Sequence, residues 1–398
     1  MAQPTAPRTQ NTDLAGLIIA VACGLSITAA ALFLGVVPFI RALSGSRDFV
    51  VYWATGHQLL RHLDPYDPRM MGLLEHAAGF TGHGSYYMRN PPWSLPLTLP
   101  LGFLSAGVAA LPWSFLMLVL AMLSVRALWT MLGRPGNYVQ WLGYAFPPAL
   151  QCVVMGQTSL LLLIGLVFFL RWHRSQPFWA GASLWFCTLK PHLFLPWGVA
   201  LLLWIVVARA WRVVGGAVAA MAASCLVTEA IDPHAWSQYL HWARTSGISH
   251  EFIPCLSIAF RNFVHPTVEW LAFVPAMLAC LWALVYFWPR RHTWDWMTHG
   301  NLLILVSILV APYCWFYDQC LAMPALLAAA AGCRSRKVLA LLAIIYLAVV
   351  IQPYVFTVDL ASRLYLWPAP AWLIWYLLAR RSAQRSAPVV PAPASAVS

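Results

Sequence analysis

Long apolar stretches recur along this chain from residue 14 to residue 379. A helix of about 20 apolar residues is long enough to cross the hydrocarbon core of a bilayer. Hydrophobic residues make up 61% of the sequence and charged residues only 9%, so a soluble domain would expose extended apolar patches to water. The sequence therefore predicts an all-α, polytopic membrane protein.

The positive charge of the chain is distributed in a way that indicates topology. The formal net charge is +12, and the basic residues occur in small groups at the ends of apolar runs. These groups are Arg171/Arg174, Arg209/Arg212, Arg290/Arg291, Arg334/Arg336/Lys337 and Arg380/Arg381/Arg385. Such groups are typical of cytoplasmic loops, so we expect no nucleic-acid partner.

Placing these basic groups in the cytoplasm predicts twelve membrane crossings with both termini inside. The expected helices lie near 15–40, 108–132, 137–152, 158–172, 176–189, 192–208, 211–231, 267–289, 297–313, 318–332, 337–353 and 363–379.

We expect one transmembrane domain over 14–380, between a cytoplasmic tail at 1–13 and a disordered, Pro- and Ala-rich cytoplasmic tail at 381–398. Its long extracytoplasmic loops are 41–92 and 232–266.

The segment "NPPWSLPLTLPLGFL", residues 90–104, does not fit as a crossing. It is short, it contains four prolines, and a full crossing here would place Arg134 outside. We predict a re-entrant or interfacial segment that is sheltered by protein, because irregular backbone is not tolerated against lipid. Breaks at "GQTS" (156–159) and "LKP" (189–191) predict further helices that stop below the outer surface.

Asp48 lies just after the first apolar run, in "SRDFVVYWATGHQLLRHLDPYDP" (46–68). As an N-cap, it would accept hydrogen bonds at the start of a predicted amphipathic helix at 50–62. As a general base, it would accept a proton beside aromatic residues that can stack on a sugar. The residues alone leave both interpretations open.

Lys190 interrupts the apolar run "FCTLKPHLFLPW" and is one of two lysines in the chain. A cation near the membrane is costly and suggests a functional role, although snorkelling to the interface is the alternative. Pro191 ends the preceding helix and sets His192 beside the lysine, so two groups that can hold an anion lie at one break.

Three other kinds of polar residue carry weaker signals. Arg261, in the outer stretch "PCLSIAFRNFVHP", is by itself typical of a solvated arginine, and Asp318, in "APYCWFYDQCLAMP", is typical of an N-cap. The outer-loop histidines lack metal-ligand spacing, so we expect no metal site; they are His241, His250 and His265. No GxGxxG, Walker A or GxSxG motif occurs.

Several stretches, in order over roughly residues 40–330, resemble membrane glycosyltransferases of the GT-C fold, and most of all glycosyltransferase family 87. They are "DFVVYW", "LLRHLDPYDP", "NPPWSLPLTLPLGFL", "GQTSLLLLIGLVFF", "AGASLWFCTLKPHLF", "LSIAFRN" and "APYCWFYDQCLAMPALL".

The resemblance implies a polyprenyl-phosphate-linked sugar, typically mannose, as donor and an envelope glycolipid or polysaccharide as acceptor. Catalysis would occur on the outer face of the bacterial inner membrane, with inversion, without a cofactor, and with Asp48 as the base. Cations would balance the charge of the polyprenyl phosphate, without a required divalent ion; the candidates are Lys190, His192 and Arg261. Residues expected to contact the sugar are Tyr52, Trp53, Arg89, Trp93 and Gln157.

One departure from the family pattern keeps other interpretations open. The family usually has histidine after the tryptophan of the late segment, whereas Phe316, Tyr317 and Asp318 follow Trp315 here. An inactive envelope-assembly partner is therefore one alternative. A lipid or sugar transporter is the other, although its polar groups would lie through the membrane midplane rather than on one face.

Overall fold

The structure is a computed structural model, and it describes residues 14–36, 48–80, 86–245, 252–356 and 361–385. Helices and turns account for these residues, and no β-strand occurs among them. The predicted all-α class is confirmed for this part of the chain. The predicted tail 1–13 lies outside the described residues, as do residues 386–398 of the predicted tail 381–398.

The helices are mostly short, because proline and glycine interrupt many of the apolar runs. The α-helices are α1 Leu14–Val36, α2 Phe49–Leu59, α3 Pro68–Ala77, α4 Ala106–Met131, α5 Asn137–Tyr144, α6 Pro147–Met155, α7 Ser159–Trp172, α8 Pro177–Cys187, α9 Leu195–Val207, α10 Trp211–Ile231, α11 Ala235–Thr245, α12 Leu256–Val264, α13 Val274–Phe287, α14 Asn301–Val310, α15 Met323–Gly332, α16 Arg336–Phe356 and α17 Pro368–Arg385. Short 3-10 helices lie at Pro92–Leu97, Leu99–Phe103, Pro191–Phe194, Glu269–Phe273, Trp288–Arg290, Phe316–Ala322 and Arg363–Tyr365, and a π-helix lies at Trp296–Gly300.

Four helical stretches within the described residues are long and apolar enough to cross a membrane. They are Ala106–Met131, Trp211–Ile231, Glu269–Arg290 and Arg336–Pro353. Shorter apolar helices lie at Ile18–Thr28, Ser159–Trp172, Pro191–Val207 and Trp296–Val310. The chain is thus a membrane protein with several apolar helices, fewer of them full length than the twelve crossings expected.

Some predicted helices are broken where proline requires it. The expected helix 137–152 is divided into α5 and α6, since Phe146 is extended ahead of Pro147 and Pro148. The expected helix 318–332 begins with the 3-10 helix Phe316–Ala322. At the other end of the chain, α17 continues to Arg385, past the predicted boundary at 380.

Part of the segment predicted to be the first extracytoplasmic loop folds onto the helical core. The predicted amphipathic helix 50–62 is observed as α2, which ends at Leu59, and nearly all of its side chains are buried. Gly56 allows its backbone to touch the 3-10 helix Leu99–Phe103, because a Cβ at Gly56 would lie 2.1 Å from the Thr98 carbonyl oxygen and 2.9 Å from the Gly102 nitrogen. The predicted helix is therefore present but shorter than expected, and it is buried on nearly all sides rather than amphipathic.

The proline-rich segment 90–104 forms two 3-10 helices instead of a spanning helix. Two hydroxyl groups of α10 satisfy its carbonyls: Ser224 Oγ donates to the Trp93 oxygen at 2.5 Å, and Thr228 Oγ1 donates to the Pro92 oxygen at 3.0 Å. The Asn90 amide donates to the Leu189 carbonyl at 3.3 Å, which joins this segment to the turn that carries Lys190. The segment is thus held by protein contacts, as irregular backbone in a membrane protein requires.

Candidate active site

A polar cluster forms where segments from distant parts of the chain meet. Asp48 precedes α2, Gln157 and Ser159 come from the junction of α6 and α7, Lys190 follows α8, and Asp318 lies in the 3-10 helix Phe316–Ala322. Hydrogen bonds connect these five residues continuously. We call them the polar cluster.

Asp48 occupies the N-cap position of α2 but does not cap the helix. Its backbone is already helical, and its side chain accepts no hydrogen bond from the first turn. Instead, Gln157 Nε2 donates to Asp48 Oδ2 at 2.7 Å. The surrounding protein removes water from the carboxylate and so raises the pKa of Asp48, while the Gln157 hydrogen bond and the charge of Lys190 act in the opposite direction. The N-cap interpretation is therefore wrong, and the carboxylate has a different partner.

Lys190 points into the protein and does not snorkel to solvent. Its side chain is 9% exposed, and Nζ donates to Asp318 Oδ1 at 2.7 Å and to Ser159 Oγ at 3.2 Å. The same ammonium lies 3.3 Å from Gln157 Oε1. A buried ammonium needs such partners, because desolvation alone would disfavour its charged form.

Asp318 has a role that the sequence did not reveal. It is the third residue of its 3-10 helix rather than the N-cap, and its Oδ2 accepts from the Trp315 backbone N–H at 3.0 Å. Its Oδ1 accepts from Lys190 and from Ser159. The Asp318 side chain is fully buried and its Oδ1 lies 2.7 Å from Lys190 Nζ, so this carboxylate is the counterion of Lys190.

The turn that presents Gln157 depends on Gly156. This residue ends α6 in the left-handed region, with φ +72°, which favours glycine. A Cβ at Gly156 would lie 2.7 Å from the Cβ of Phe49, the first residue of α2. Trp113 Nε1 donates to the Gly156 carbonyl oxygen at 2.7 Å, so α2, α4 and the α6–α7 turn are held together at one point.

The aromatic residues predicted to contact the sugar are engaged with the protein. Tyr52 is buried, with its ring 5.5 Å from that of Trp113 and its hydroxyl donating to Gln157 Oε1 at 2.9 Å. Trp53 is buried and donates to the Leu104 carbonyl at 2.8 Å. Trp93 is half-buried and donates to Thr188 Oγ1 at 3.0 Å.

The structure brings some of the predicted cations to the cluster and not others. His192 stacks on Tyr313, with ring centroids 3.9 Å apart. Arg89 lies close enough to affect the electrostatics of Asp48. Arg261, expected to be solvated, is buried in α12, where it donates to the neighbouring Asn262 side chain at 3.3 Å.

Sequence reasoning missed two members of the site and identified only part of the role of a third. Ser159 and Tyr317 were not singled out, although Tyr317 Oη accepts from Gln157 Nε2 at 3.1 Å and Lys190 lies 5.2 Å from the Tyr317 ring centroid. Asp318 was interpreted as an N-cap; it contributes to the cap from the third position of its 3-10 helix, and its ion pair with Lys190 was not predicted. The one available signal was the departure from the family pattern at residues 316–318, which marked this segment without identifying its partners.

Among the described residues, no group of three or more His, Cys, Asp or Glu side chains is arranged to hold a metal ion. His250 lies outside the described residues.

Comparison with known proteins identifies the family. The model of glycosyltransferase family 87 matches residues 87–353, which is more than half of the chain. The chain belongs to glycosyltransferase family 87. No curated protein and no solved structure was found to match it.

Membership of glycosyltransferase family 87 makes this chain a membrane glycosyltransferase. A glycosyltransferase in a membrane works with a sugar donor, an acceptor and the lipid bilayer. The matched range contains Gln157, Ser159, Lys190 and Asp318, whereas Asp48 lies before it. The argument for Asp48 therefore depends on its contacts.

Proposed function

We propose that this family 87 glycosyltransferase moves mannose from a polyprenyl-phosphate donor to an envelope glycolipid or polysaccharide. Transfer takes place on the extracytoplasmic face of the bacterial inner membrane and inverts the anomeric centre, with Asp48 as the general base. The donor needs no divalent ion in this proposal, since protein cations balance its phosphate.

The observation that carries the proposal is the position of Asp48. The Asp48 carboxylate does not cap α2 but accepts from Gln157, which in turn contacts the buried Lys190. Local folding alone does not explain this arrangement. Raised pKa values bring a carboxyl group closer to the range in which it accepts protons effectively near neutral pH, and the pKa of Asp48 is raised. Both properties suit a catalytic base.

In the proposed reaction, an acceptor hydroxyl oxygen attacks the anomeric carbon of the donor sugar from the face opposite the phosphate. Asp48 takes the hydroxyl proton as the new C–O bond forms. The bond between the anomeric carbon and the phosphate oxygen breaks, and the polyprenyl phosphate leaves with the electron pair. Attack from the opposite face inverts the configuration.

The leaving phosphate requires positive charge and N–H donors, and Lys190 with His192 lies at one helix break. Arg89 adds a cation whose charge reaches Asp48, Tyr313 and Tyr317. Cations at the position where leaving-group charge develops stabilise the transition state. We therefore assign Arg89 and the N–H of the His192 imidazole to the donor phosphate, while Lys190, whose three N–H groups donate to Asp318, Ser159 and Gln157, contributes only its charge.

The same proposal includes a GT-C-type domain over 14–380 with twelve crossings. In some of these crossings two short helices together span the membrane, and in others a short helix spans only part of it. Its orientation can be tested with single cysteines in a background that lacks the native cysteines. Ser237, in the predicted outer loop, and Ser175, beside Arg174, are both exposed. An impermeant thiol reagent should label Ser237→Cys in intact cells and Ser175→Cys only after lysis; the reverse pattern would overturn the orientation.

The decisive activity experiment uses protein reconstituted in liposomes with radiolabelled polyprenyl-phosphomannose and an extract of envelope glycolipids. Asp48→Asn should lower transfer about 10²–10⁴-fold, because positioned general-base catalysis contributes that much. Asp67→Asn is the matched control: it changes an aspartate of the same segment that lies at a helix start, and it should transfer at the wild-type rate. An active Asp48→Asn protein excludes the base assignment, and an inactive wild type favours the transporter or assembly-partner alternative.

A further inference from the structure

The Gln157 side chain uses its entire hydrogen-bonding capacity within the protein. Nε2 donates to Asp48 Oδ2 at 2.7 Å and to Tyr317 Oη at 3.1 Å. Oε1 accepts from Tyr52 Oη at 2.9 Å and faces Lys190 Nζ at 3.3 Å. A primary amide has two N–H donors and two acceptor lone pairs, so no position remains for a sugar hydroxyl.

The orientation of this amide follows from the chemistry of its neighbours. An ionised carboxylate only accepts hydrogen bonds, and an ammonium only donates them. The amide nitrogen must therefore face Asp48, and the amide oxygen must face Lys190. Turning the group over would set oxygen against carboxylate and N–H against ammonium, which would lose both contacts at once.

We propose that Gln157 is a positioning residue rather than a sugar contact: its amide orients Asp48, keeps it ionised and joins it to Lys190. The catalytic part of this inference rests on the proposed function, because it assumes that Asp48 is the base. The structural part does not, since it concerns the protonation of Asp48 in the protein without substrate.

The charge on Asp48 is set by few groups. The titratable and charged residues that face it are Lys190, Arg89, Tyr317, Tyr52 and Tyr86. Lys190 reaches Asp48 through Gln157, and Lys190 is itself paired with Asp318. Loss of the Gln157 amide would therefore remove a hydrogen bond to the charged carboxylate and also separate the base from its nearest buried ammonium.

The test measures protonation of Asp48 directly in detergent-solubilised protein. Dicyclohexylcarbodiimide reacts with protonated carboxyl groups, and Asp48 is partly exposed. Labelling of the peptide that contains Asp48 is followed by mass spectrometry from pH 4 to pH 9. Gln157→Met keeps the length of the side chain and removes its hydrogen bonds, so the midpoint of labelling should rise by about one to two pH units.

Two further variants keep the experiment informative. Gln157→Glu retains acceptors for Tyr52 and Lys190 but has no N–H for Asp48, so two carboxyl groups compete for one proton and the labelling midpoint should again rise. Gln58→Met is the matched control, because Gln58 is a buried glutamine of α2 whose side-chain amide donates to the Asp64 carbonyl, at 3.5 Å, rather than to Asp48. Its midpoint should equal that of the wild type.

Kinetics separate the two roles of Gln157 once transfer has been measured. If Gln157 is a positioning residue, its substitution should lower kcat about 10–100-fold and leave the KM for the donor unchanged. The acid limb of the pH–rate profile should move to higher pH. A sugar contact would raise KM and leave the labelling midpoint unchanged, and that result would overturn the inference. Since labelling needs no donor, its outcome stands even where no transfer is found, so failure of the proposed function is distinguished from failure of this inference.

Discussion

Asp48 and Asp67 each lie immediately before a helix, α2 and α3 respectively, but only Asp67 caps its helix. Asp67 precedes α3, and its Oδ1 accepts from the Arg69 backbone N–H at 2.9 Å, as a helix cap does. Asp48 precedes α2 and accepts instead from Gln157, 109 positions along the chain. The Asp48 carboxylate could have capped α2, but it binds a residue that is distant in the sequence. Its position is therefore determined by tertiary contacts rather than by local structure.

The difference between these regions extends to their surroundings. Asp48 belongs to a cluster that contains a buried ion pair and three connected hydrogen-bonding side chains. The α3 region contains a buried acid without such support. Glu75 accepts one hydrogen bond, from the Tyr86 backbone N–H at 2.8 Å, and its other oxygen has no hydrogen-bond partner. Burial alone raises the pKa of Glu75 to about 8.

The largest effect is expected from breaking the ion pair that supports the Asp48 region. Asp318→Asn leaves the buried Lys190 without its counterion, and removal of one partner of such a pair costs about 3–5 kcal/mol of unfolding free energy. Thermal unfolding in nanodiscs should show this as a large loss of stability.

The double variant Lys190→Met, Asp318→Leu is the control for this experiment, because it removes both charges and should recover part of the lost stability. A double variant as unstable as the sum of Lys190→Met and Asp318→Leu measured singly would show that the pair does not act as a unit.

The next largest effect concerns the α3 region and its pH dependence. Because the pKa of Glu75 is raised to about 8 in the folded protein, the folded state holds a proton that the unfolded state releases above its lower pKa. The contribution of Glu75 to stability is therefore greatest at acidic pH and falls by about 1.4 kcal/mol per pH unit until the pH passes 8, or about 3 kcal/mol from pH 5.5 to 7.5.

Unfolding of the wild type and of Glu75→Gln, measured over this pH range, checks the expectation. The Gln variant should lose most of this slope, whereas Glu229→Gln, which changes an exposed glutamate, should retain it. A wild type that is equally stable at both pH values would contradict the assignment of Glu75 as a neutral acid.

A smaller effect tests how the α6–α7 turn supports the start of α2. Gly156→Ala should lower the unfolding free energy by about 2 kcal/mol, because alanine is strained at positive φ and its Cβ would meet Phe49. Gly133→Ala is a matched control, since Gly133 also has positive φ, +78°, but open space where the Cβ would lie.

The loss of unfolding free energy in Gly133→Ala, about 1 kcal/mol, measures backbone strain alone. The additional loss in Gly156→Ala measures the contact with Phe49. Equal costs at the two glycines, from thermal unfolding in nanodiscs, would show that α2 moves away freely and that the turn does not fix it.

Sequence reasoning worked for what is local. The bounds of α10 were predicted at 211–231 and are observed there, because a basic residue and an apolar run mark that helix without interruption. The break at Pro147 and Pro148 was also local, and it was missed because hydropathy was given more weight than the effect of proline on the preceding residue.

Contacts across the chain could not be predicted in the same way. Lys190 and Asp48 stood out as isolated charges in an apolar sequence. Their partners did not, because Lys190 and Asp318 are 128 positions apart and nothing in either local sequence refers to the other. A single aspartate before a helix is compatible with a cap or a tertiary contact, and only the packing of α2 against the α6–α7 turn decides between them.

The smallest effect returns to the two aspartates and separates a cap from a network contact. Asp67→Ala removes the hydrogen bond to Arg69 N–H and should cost about 1 kcal/mol, whereas Asp67→Asn retains a capping oxygen and should restore the stability. Asp48→Asn also retains an oxygen that can face Gln157, so the protein should fold, yet an amide cannot take a proton from an acceptor hydroxyl. We therefore expect Asp67→Ala to lose stability but keep transfer, and Asp48→Asn to keep stability but lose transfer. Thermal unfolding of the three variants and transfer in liposomes measure the two properties. If Asp67→Ala lost transfer while Asp48→Asn kept it, the first outer segment would still contain the base, but at the start of α3.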